Sequence, residues 1–399
     1  MSRKIIVAGG GFSNKGAEAM LFVCMDEIKK RWPNHEIVLL SQNEYAKKEE
    51  IESKYYLKVK SAFPLEGAFY KENGISKVFA KLKGWNKDKQ KQIDDFWNSV
   101  DLVLDISGYA LGSNWNYDFS IVYLLPFAYA KVYRIPIYAM PQSYGPFNYK
   151  GKKGLFIEYL IRKYLTKASI LFAREEKGKR CLEKIGARNV RLASDIVLCN
   201  KSIDPHNIYT SCDDNTEKQI IEAKSVAIIP NVQNNKHTEY QKLLDLYRNI
   251  VNELIKSGFH VYVVRHDRSD ATVCRNIADM FKTEKQVTLI DKDLDCLGMS
   301  ELLSKFEFAI ASRFHSIVHA YKVGTPCLAI GWAEKYYNLL AMFEQSNYMI
   351  DARENVENES VIQKLLDMTQ KYAIEEKIIQ SKLKDVQKEN VFESIIIKP

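Results

Sequence analysis

The segment Ser312-Arg313-Phe314-His315 carries the two side chains of this sequence that are best suited to hold an anion and to move a proton. A guanidinium binds two oxygens of a carboxylate or phosphate at once, and an imidazole exchanges a proton near neutral pH. The segment follows an apolar run at 308–311 and leads into a predicted helix, whose N-terminal N–H groups and dipole favour negative charge. The pattern therefore predicts an anion site with Arg313 and His315. The alternative is a surface ion pair for Arg313 and a helix-capping role for His315.

Two further cationic side chains stand directly after other apolar runs, namely Arg174 and His266. The carboxyl ends of parallel strands meet at one edge of a sheet, so both side chains are expected to approach the anion site. An ordinary pairing of His266 with Asp267 or Asp270 is the competing interpretation.

Neither a metal nor a cofactor is expected. His315 and His319 have the spacing of two zinc ligands on one helical face, but Ser316 stands where a zinc hydrolase motif has its Glu, so His319 is predicted to pack or to cap. Gly9 and Gly11 begin a G-x-G pattern whose third glycine is missing, so this loop is not a dinucleotide fingerprint. Such a loop brings backbone N–H groups to an anion, although a plain turn explains the glycines equally well.

Short apolar runs alternate with longer amphipathic segments along the whole chain, which is the pattern of parallel strands covered by helices on both faces. The runs predicted to be strands are 4–8, 37–41, 102–107, 136–140 and 170–173, followed by 226–230, 260–264, 287–290, 308–311 and 327–330. The second series repeats the arrangement of the first. The predicted fold is therefore α/β, with two doubly wound Rossmann-like domains that face a cleft.

A polar stretch after residue 200 separates the two series. The predicted division is an N-terminal Rossmann-like domain at 1–205, a linker at 206–224, a C-terminal Rossmann-like domain at 225–375, and a C-terminal helix with a tail at 376–399. A chain of 399 residues has room for two such cores. Ligands of open α/β sheets bind beyond the carboxyl ends of the strands, so the cleft between the domains is the predicted site.

The composition is that of a folded protein without a nucleic-acid or membrane-spanning signature. Apolar residues make up 46% of the chain, and 58 Lys and Arg against 50 Asp and Glu leave a net charge of +8, which suits a small anionic substrate. The lysines are scattered over helix-like segments, so no nucleic-acid partner is expected. Seven widely spaced Cys residues, with no signal peptide and no long apolar segment, predict a cytoplasmic protein.

Taken in chain order, the loops resemble those of the polysaccharide pyruvyl transferase family, from the first predicted strand to about residue 340. The segments that carry the resemblance are Asn14-Lys15-Gly16-Ala17-Glu18-Ala19, Ser107-Gly108-Tyr109, Gln142-Ser143-Tyr144-Gly145-Pro146, Arg174-Glu175-Glu176, Ala193-Ser194-Asp195, Ser312-Arg313-Phe314-His315, Gly324-Thr325-Pro326 and Lys335. Each motif is short, and their order and spacing make the match specific. Ala17, Tyr109 and Glu175 stand where the family usually has Asp, Gly and Asp.

The resemblance implies a fold similar to GT-B glycosyltransferases, phosphoenolpyruvate as the donor, and a pyruvate ketal on a sugar of a bacterial surface polysaccharide or of its lipid-linked precursor. His315 would then be the catalytic proton donor, with His266 as the second choice. The donor-binding residues would be Arg313, Arg174, Lys335 and Ser312. The acceptor or cleft residues would be Asn14, Gly16, Glu18, Asp105, Gln142, Ser143 and Asn231.

Two other functions fit the same features. A nucleotide-sugar-dependent glycosyltransferase of the GT-B type would use the same cleft and the same basic helix terminus for a diphosphate. A non-catalytic component of a glycan-synthesis complex would need only the fold, and the intact Arg313 and His315 argue against it. Basic and aromatic residues at 149–156 leave contact with the inner face of a membrane open.

Overall fold

The computed structural model describes residues 3–72, 74–211, 219–353 and 358–397. The central part of the predicted linker, 212–218 with Cys212, and the last two residues of the predicted tail lie outside the described residues. No helix in the described ranges is both long and apolar enough to cross a membrane.

The described strands form two sheets in which all neighbouring strands are parallel. The strands of the first sheet are β1 Lys4–Ala8, β2 Glu36–Leu40, β3 Lys58–Lys60, β4 Val100–Asp105, β5 Ile137–Gln142, β6 Ile170–Ala173 and β7 Val190–Leu192. The strands of the second sheet are β8 Ser225–Ile229, β9 His260–Val264, β10 Val287–Ile290, β11 Phe308–Ala311, β12 Cys327–Gly331 and β13 Met349–Asp351.

Helices connect the strands in both halves. Those of the first half are α1 Lys15–Arg31, α2 Gln42–Tyr45, α3 Lys48–Lys54, α4 Leu65–Lys71, α5 Ile75–Leu82, α6 Lys87–Trp97, α7 Tyr117–Tyr133, α8 Gly151–Lys163, α9 Glu176–Lys184 and α10 Ile196–Cys199. Those that follow are α11 Tyr240–Lys256, α12 Ala271–Asp279, α13 Cys296–Leu303, α14 Phe314–Lys322, α15 Glu334–Met342 and α16 Asn358–Val386.

Both sheets are doubly wound, as predicted. The strand order is β3-β2-β1-β4-β5-β6-β7 in the first sheet and β10-β9-β8-β11-β12-β13 in the second. In each sheet the chain runs outward from one central strand and then crosses to its other side, so the order reverses between β1 and β4 and again between β8 and β11. Every residue of β4, β5, β8 and β12 is buried, because helices cover both faces of the sheets.

The two halves are in direct apolar contact. α1 packs against α13 and α14, and α10 packs against α14 and α16. Buried apolar side chains from both halves belong to one hydrophobic cluster. The predicted cleft is therefore closed where these helices meet, and the carboxyl ends of strands from both sheets approach each other across the contact.

The C-terminal segment returns to the first half. α16 runs without a break through the predicted boundary at residue 375. Beyond it, the Ile396 N–H donates to the Tyr138 hydroxyl at 3.0 Å, and Arg191 donates to the Ser394 hydroxyl at 3.1 Å. The end of the chain is thus held by the half in which the chain begins.

Candidate active site

The N-termini of α1 and α14 meet at the junction of the two halves. Asn14 caps α1, because its side-chain oxygen accepts from the N–H groups of Gly16 at 2.8 Å and Ala17 at 3.4 Å. A Cβ atom placed on Gly16 would lie 2.1 Å from Nδ1 of His315, so the imidazole rests directly on the Gly16 backbone. Only glycine leaves room for it. The structure thus brings together three predicted site residues from opposite halves of the chain.

Asp195 joins these groups and is a site residue to which the sequence analysis assigned no role. Its Oδ2 lies 3.0 Å from Nη1 of Arg174 and 3.5 Å from Nε2 of His315. Burial raises the pKa of the Asp195 carboxyl, but Arg174 and His315 outweigh that effect and the pKa is lowered. Asp195 Oδ2 and His315 Nε2 are both buried, and the 3.5 Å between them is longer than an ordinary hydrogen bond. The only signal in the sequence was the short motif that ends in this Asp.

Two cations share one aromatic ring at this junction. The Arg174 guanidinium carbon lies 5.5 Å from the centre of the Phe314 ring, and Lys335 Nζ lies 5.0 Å from it. Arg174 is fixed in place because its Nε donates to the Pro141 carbonyl at 2.9 Å. Phe314, which the sequence analysis did not assign to the site, is therefore the platform of the two cations.

Lys335 is the cation of this group that has no carboxylate partner among the described residues. It is half-buried and forms no ion pair within the described ranges. Burial and the charge of Arg174 lower its pKa to about 8, although Glu175 and Asp195 act in the opposite direction. A bound anion would supply the negative charge that this ammonium group lacks.

His315 is neutral near pH 7 in this arrangement. Burial lowers its pKa; Asp195 opposes the effect, and Arg174 and Lys335 add to it. An anion between the two cations would cancel part of their charge and raise the pKa of His315. The imidazole is therefore placed to gain a proton when an anionic ligand binds at the N-terminus of α14.

The Arg313 guanidinium does not join this group. Its Nε and Nη2 donate to the two carboxylate oxygens of Asp270 at 2.5 and 2.8 Å, and Nη2 also donates to the Ser269 hydroxyl at 2.8 Å. The Arg313 guanidinium, which was predicted to bind the donor, is thus paired within the second half, because the buried Asp270 carboxylate requires a cationic partner. This geometry corrects the expectation that the Arg313 guanidinium is open to a ligand.

Ser312 and Asn231 also serve the interior of the second half. Ser312 Oγ lies 2.8 Å from the Tyr247 hydroxyl, and the Ser312 carbonyl accepts from Asn231 at 3.1 Å and from Tyr336 at 3.2 Å. Both predicted site residues are buried. Their hydrogen bonds join the loops that follow β8 and β11, where the strand order reverses, and so hold the start of α14 in place.

His266 and His319 are packed against each other in the interior, with ring centres 5.7 Å apart. His319 Nδ1 lies 3.0 Å from the Ser300 hydroxyl, and burial lowers its pKa to about 3. Burial together with His319 holds the pKa of His266 well below its usual range. His266 was predicted to approach the anion site. Neither ring, however, forms a hydrogen bond or an ion pair with Asp195 or Arg174 among the described residues.

A cavity of about 470 Å³ lies at the other notable position, where the strand order of the first sheet reverses between β1 and β4. Its polar lining includes Asp105 and Ser107, and much of the rest is aromatic. The aromatic lining residues are Phe63, Trp97, Tyr109, Trp115, Phe119, Tyr123 and Tyr129. Ligands of open α/β sheets bind at such positions.

Asp105 is the single carboxylic acid in the lining of this cavity. It accepts from the Ser107 hydroxyl at 2.5 Å and from Gln142 Nε2 at 2.6 Å. Burial outweighs these hydrogen bonds and raises the pKa of Asp105 to about 6. The hydroxyls of Tyr123 and Tyr144 and the Gln142 side-chain oxygen are buried without a hydrogen-bond partner among the described residues. Of these three side chains, Tyr123 lines the cavity.

One short segment lies between the cavity and the charged junction. Ser107 and Tyr109 line the cavity, while a Cβ atom on Gly108 would lie 3.4 Å from Nη2 of Arg174. Gly108 has a φ of +69°, a conformation that favours glycine. The two regions are thus one residue apart along this segment.

The family model described as polysaccharide pyruvyl transferase matches residues 14–334, a range that includes Arg174, Asp195 and His315 of the junction and Asp105 of the cavity and ends one residue before Lys335. The chain belongs to the polysaccharide pyruvyl transferase family. A curated relative, the amylovoran biosynthesis protein AmsJ of Erwinia amylovora, is 19% identical over 273 residues, which are 64% of this chain. The match spans 62% of the length of AmsJ.

Solved structures show the same fold for this pyruvyl transferase family member. UDP-GlcNAc 2-epimerase of Neisseria meningitidis bound to UDP-GlcNAc superposes with a TM-score of 0.57 at 13% identity, covering 96% of this chain and 98% of the epimerase. MnaA of S. aureus with UDP superposes with a TM-score of 0.55 at 13% identity, covering 98% of this chain and 94% of MnaA. A glycosyltransferase of Rickettsia africae ESF-5 superposes with a TM-score of 0.55 at 10% identity, covering 98% of this chain and 95% of the glycosyltransferase. The fold is thus of the GT-B type, as predicted.

The remaining predicted cleft residues of this family member hold the halves together or support the loops. Ser143 donates to Glu175 at 2.7 Å. Glu18 is buried beside Lys15 Nζ at 3.3 Å, and burial raises its pKa to about 7. Lys15 also lies 3.4 Å from Asp293 of the second half, so Glu18 belongs to an ionic contact between the halves. No cluster of three or more metal-ligating side chains occurs among the residues described.

Proposed function

We propose that this protein transfers the pyruvyl group of phosphoenolpyruvate to a sugar of a bacterial surface polysaccharide or of its lipid-linked precursor, and that the product is a pyruvate ketal. The observation that carries the proposal is the pair of cations on the Phe314 ring, of which Lys335 lacks an ion-pair partner. Phosphoenolpyruvate offers a carboxylate and a phosphate, which are two anionic groups for two cations. Membership of the family supports pyruvyl as the transferred group.

In this proposal Arg174 and Lys335 hold the two anionic groups of the donor, and the N-terminus of α14 receives the phosphate charge. Arg313 acts as a positioning residue. Through Asp270 it fixes the loop before α12 to the start of α14, which carries His315. Ser312 supports the same turn from the interior.

His315 is proposed to deliver a proton to the methylene carbon of the donor. The donor's C2 then carries positive charge and bonds to the oxygen of a first sugar hydroxyl, whose proton returns to His315. A second hydroxyl of the sugar bonds to C2 through its oxygen while the C2–O bond to phosphate breaks, and the proton of this hydroxyl passes to the departing phosphate, which yields the ketal and inorganic phosphate. Asp195, ionised beside His315, stabilises the imidazolium that forms.

The aromatic cavity is proposed to bind the acceptor sugar. Aromatic rings pack on the apolar faces of sugars, and the Asp105 carboxyl together with the Ser107 and Tyr123 hydroxyls of the lining offers hydrogen bonds to sugar hydroxyls. The segment around Gly108 joins this cavity to Arg174, which places the acceptor beside the donor.

The test is incubation of the purified protein with phosphoenolpyruvate and extracted lipid-linked oligosaccharides, followed by mass spectrometry. We expect a mass gain of one pyruvic acid less one water and the release of one phosphate per transfer. A protein that leaves every oligosaccharide unchanged while hydrolysing or transferring a nucleotide sugar would contradict the proposal. His206→Ala, which changes an exposed histidine, is the control for His315→Ala in the same assay.

A further inference from the structure

The helix α5 carries an apolar stripe that faces solvent. Ile75, Val78, Phe79 and Leu82 recur at the spacing of one helical face, and their side chains are 89%, 57%, 43% and 81% exposed. In a globular protein such a stripe normally packs on the core. Here the buried side of the helix bears only the small Ala80, which is 0% exposed. Phe79 contacts the Phe69 ring edge-on, with ring centres 6.0 Å apart, whereas Ile75, Val78 and Leu82 leave more than half of their surface exposed.

The charged residues of α5 itself and of the segment that follows it to residue 87 have one sign. Residues 75–87 contain Lys77, Lys81, Lys83 and Lys87 and no Asp or Glu. Three of these four lysines are exposed, and Lys77 is half-buried. An apolar stripe flanked by lysines is the pattern of a helix that lies in the interface of an anionic membrane.

The exposed apolar surface continues onto the neighbouring helix α8. Lys163 near the end of α8 donates to the Ser76 hydroxyl at 3.0 Å, and its Nζ lies 5.1 Å from the centre of the Tyr159 ring. Tyr159 and Leu155, one turn apart on α8, are both exposed. The α5–α8 surface is defined by Ile75, Val78, Phe79, Leu82, Leu155 and Tyr159 with the lysines that surround them.

We propose that the α5–α8 surface binds an anionic phospholipid membrane. The apolar side chains enter the boundary between headgroups and acyl chains, and the lysines contact the anionic headgroups. A second copy of the chain fits less well, because two α5 helices would bring lysines opposite lysines with no carboxylate of residues 75–87 between them.

The proposal does not rest on the transferred group, but it has a consequence for the acceptor. α5 packs against α4, and Ala62 and Phe63, which precede α4, line the aromatic cavity. A membrane bound by α5 thus lies on the same half as the cavity. This arrangement suits a sugar that is presented on a lipid.

The experiment is co-sedimentation of the full-length protein with vesicles of phosphatidylcholine alone or mixed with phosphatidylglycerol. We expect binding to the mixed vesicles and much weaker binding to phosphatidylcholine. The double variant Ile75→Asp, Leu82→Asp should lose about tenfold or more of the affinity for the mixed vesicles. The matched control Ile374→Asp, Ile396→Asp changes two exposed isoleucines elsewhere and should bind like the wild type.

Melting temperatures of all variants, together with light scattering of the wild type, complete the test. Because Ile75 and Leu82 are exposed, we expect the variant to melt like the wild type and to keep pyruvyl transfer to a short water-soluble acceptor. Absence of wild-type binding to mixed vesicles, or equal binding of the Ile75→Asp, Leu82→Asp variant, would overturn the proposal. So would a wild-type dimer that this variant dissociates.

Discussion

The charged junction between the halves and the aromatic cavity of the first half differ in almost every physical property. The junction holds Arg174, Asp195, His315 and Lys335 around one phenyl ring, in contact with the N-terminus of α14. Seven aromatic rings line the cavity, and Asp105 is the carboxylic acid in its lining. A region with excess cationic capacity suits a small anion, whereas a cavity of rings and hydrogen-bonding groups suits a neutral molecule with many hydroxyls.

Under the proposed function, the junction binds the donor and the cavity binds the acceptor, so substitutions in the two regions should change different kinetic constants. Changes at the junction should act on the donor and on the proton transfer, and changes in the cavity should act on the acceptor alone.

The largest effect is expected for His315→Ala, which removes the proposed proton donor. We expect kcat to fall about 10³-fold, the range that a positioned general acid contributes. Steady-state rates of phosphate release with saturating acceptor measure it, with His206→Ala as the control. A rate within a few-fold of the wild type would remove His315 from the proton transfer.

A smaller but still large loss is expected for Gly16→Ala. The added methyl group would lie 2.1 Å from the imidazole of His315, so the ring or the helix must move. A displacement of about 1 Å at a reacting group lowers kcat by about 10²-fold. The control is Gly298→Ala, where the nearest atom would be 3.4 Å away. Equal activity of the two variants would show that contact between the halves does not place His315.

The cavity is tested by Phe119→Ala, which removes an exposed ring from its lining. We expect the KM for the acceptor to rise about tenfold, since one aromatic contact contributes about 1 kcal/mol and truncation also opens the cavity. The KM for phosphoenolpyruvate should stay constant. An effect on the donor KM instead would merge the two regions into one site.

The pH dependence of stability tests the interior of the second half. His319 has a pKa of 6.5 when unfolded and about 3 when folded, so below pH 6.5 the unfolded chain binds a proton that the folded chain rejects. Stability is therefore lost as the pH falls below 6.5, by at most about 1.4 kcal/mol per pH unit for this group. Melting temperatures between pH 7.5 and about 5 should fall less steeply for His319→Gln. Equal slopes would show that another group governs acid unfolding.

The architecture could be predicted well from the sequence because it depends on local patterns. All ten predicted runs are strands of the two sheets, and the runs at 4–8, 170–173, 260–264, 287–290 and 308–311 have the observed bounds. The sequence analysis missed β3, β7 and β13, which are edge strands of three residues each. Edge strands need no continuous apolar run, since one of their sides has no neighbouring strand.

The site was predictable only in part because its contacts join distant segments. His315, Arg174, Lys335 and Gly16 were named from motifs, and the structure brings them to one junction. The partner of Arg313 is Asp270, 43 residues away, and no spacing rule connects them. Asp195 and Phe314 gain their importance only from the way in which the halves meet.

The most direct test of the account is calorimetric titration of phosphoenolpyruvate into the wild type, Lys335→Met and Phe119→Ala without acceptor. Because Lys335 is the junction cation that forms no ion pair with any described residue, we expect Lys335→Met to weaken donor binding about tenfold or more, as loss of a charge-assisted contact does. Phe119→Ala should bind the donor like the wild type. Wild-type affinity in Lys335→Met, or weaker donor binding in Phe119→Ala alone, would contradict the placement of the donor at the charged junction.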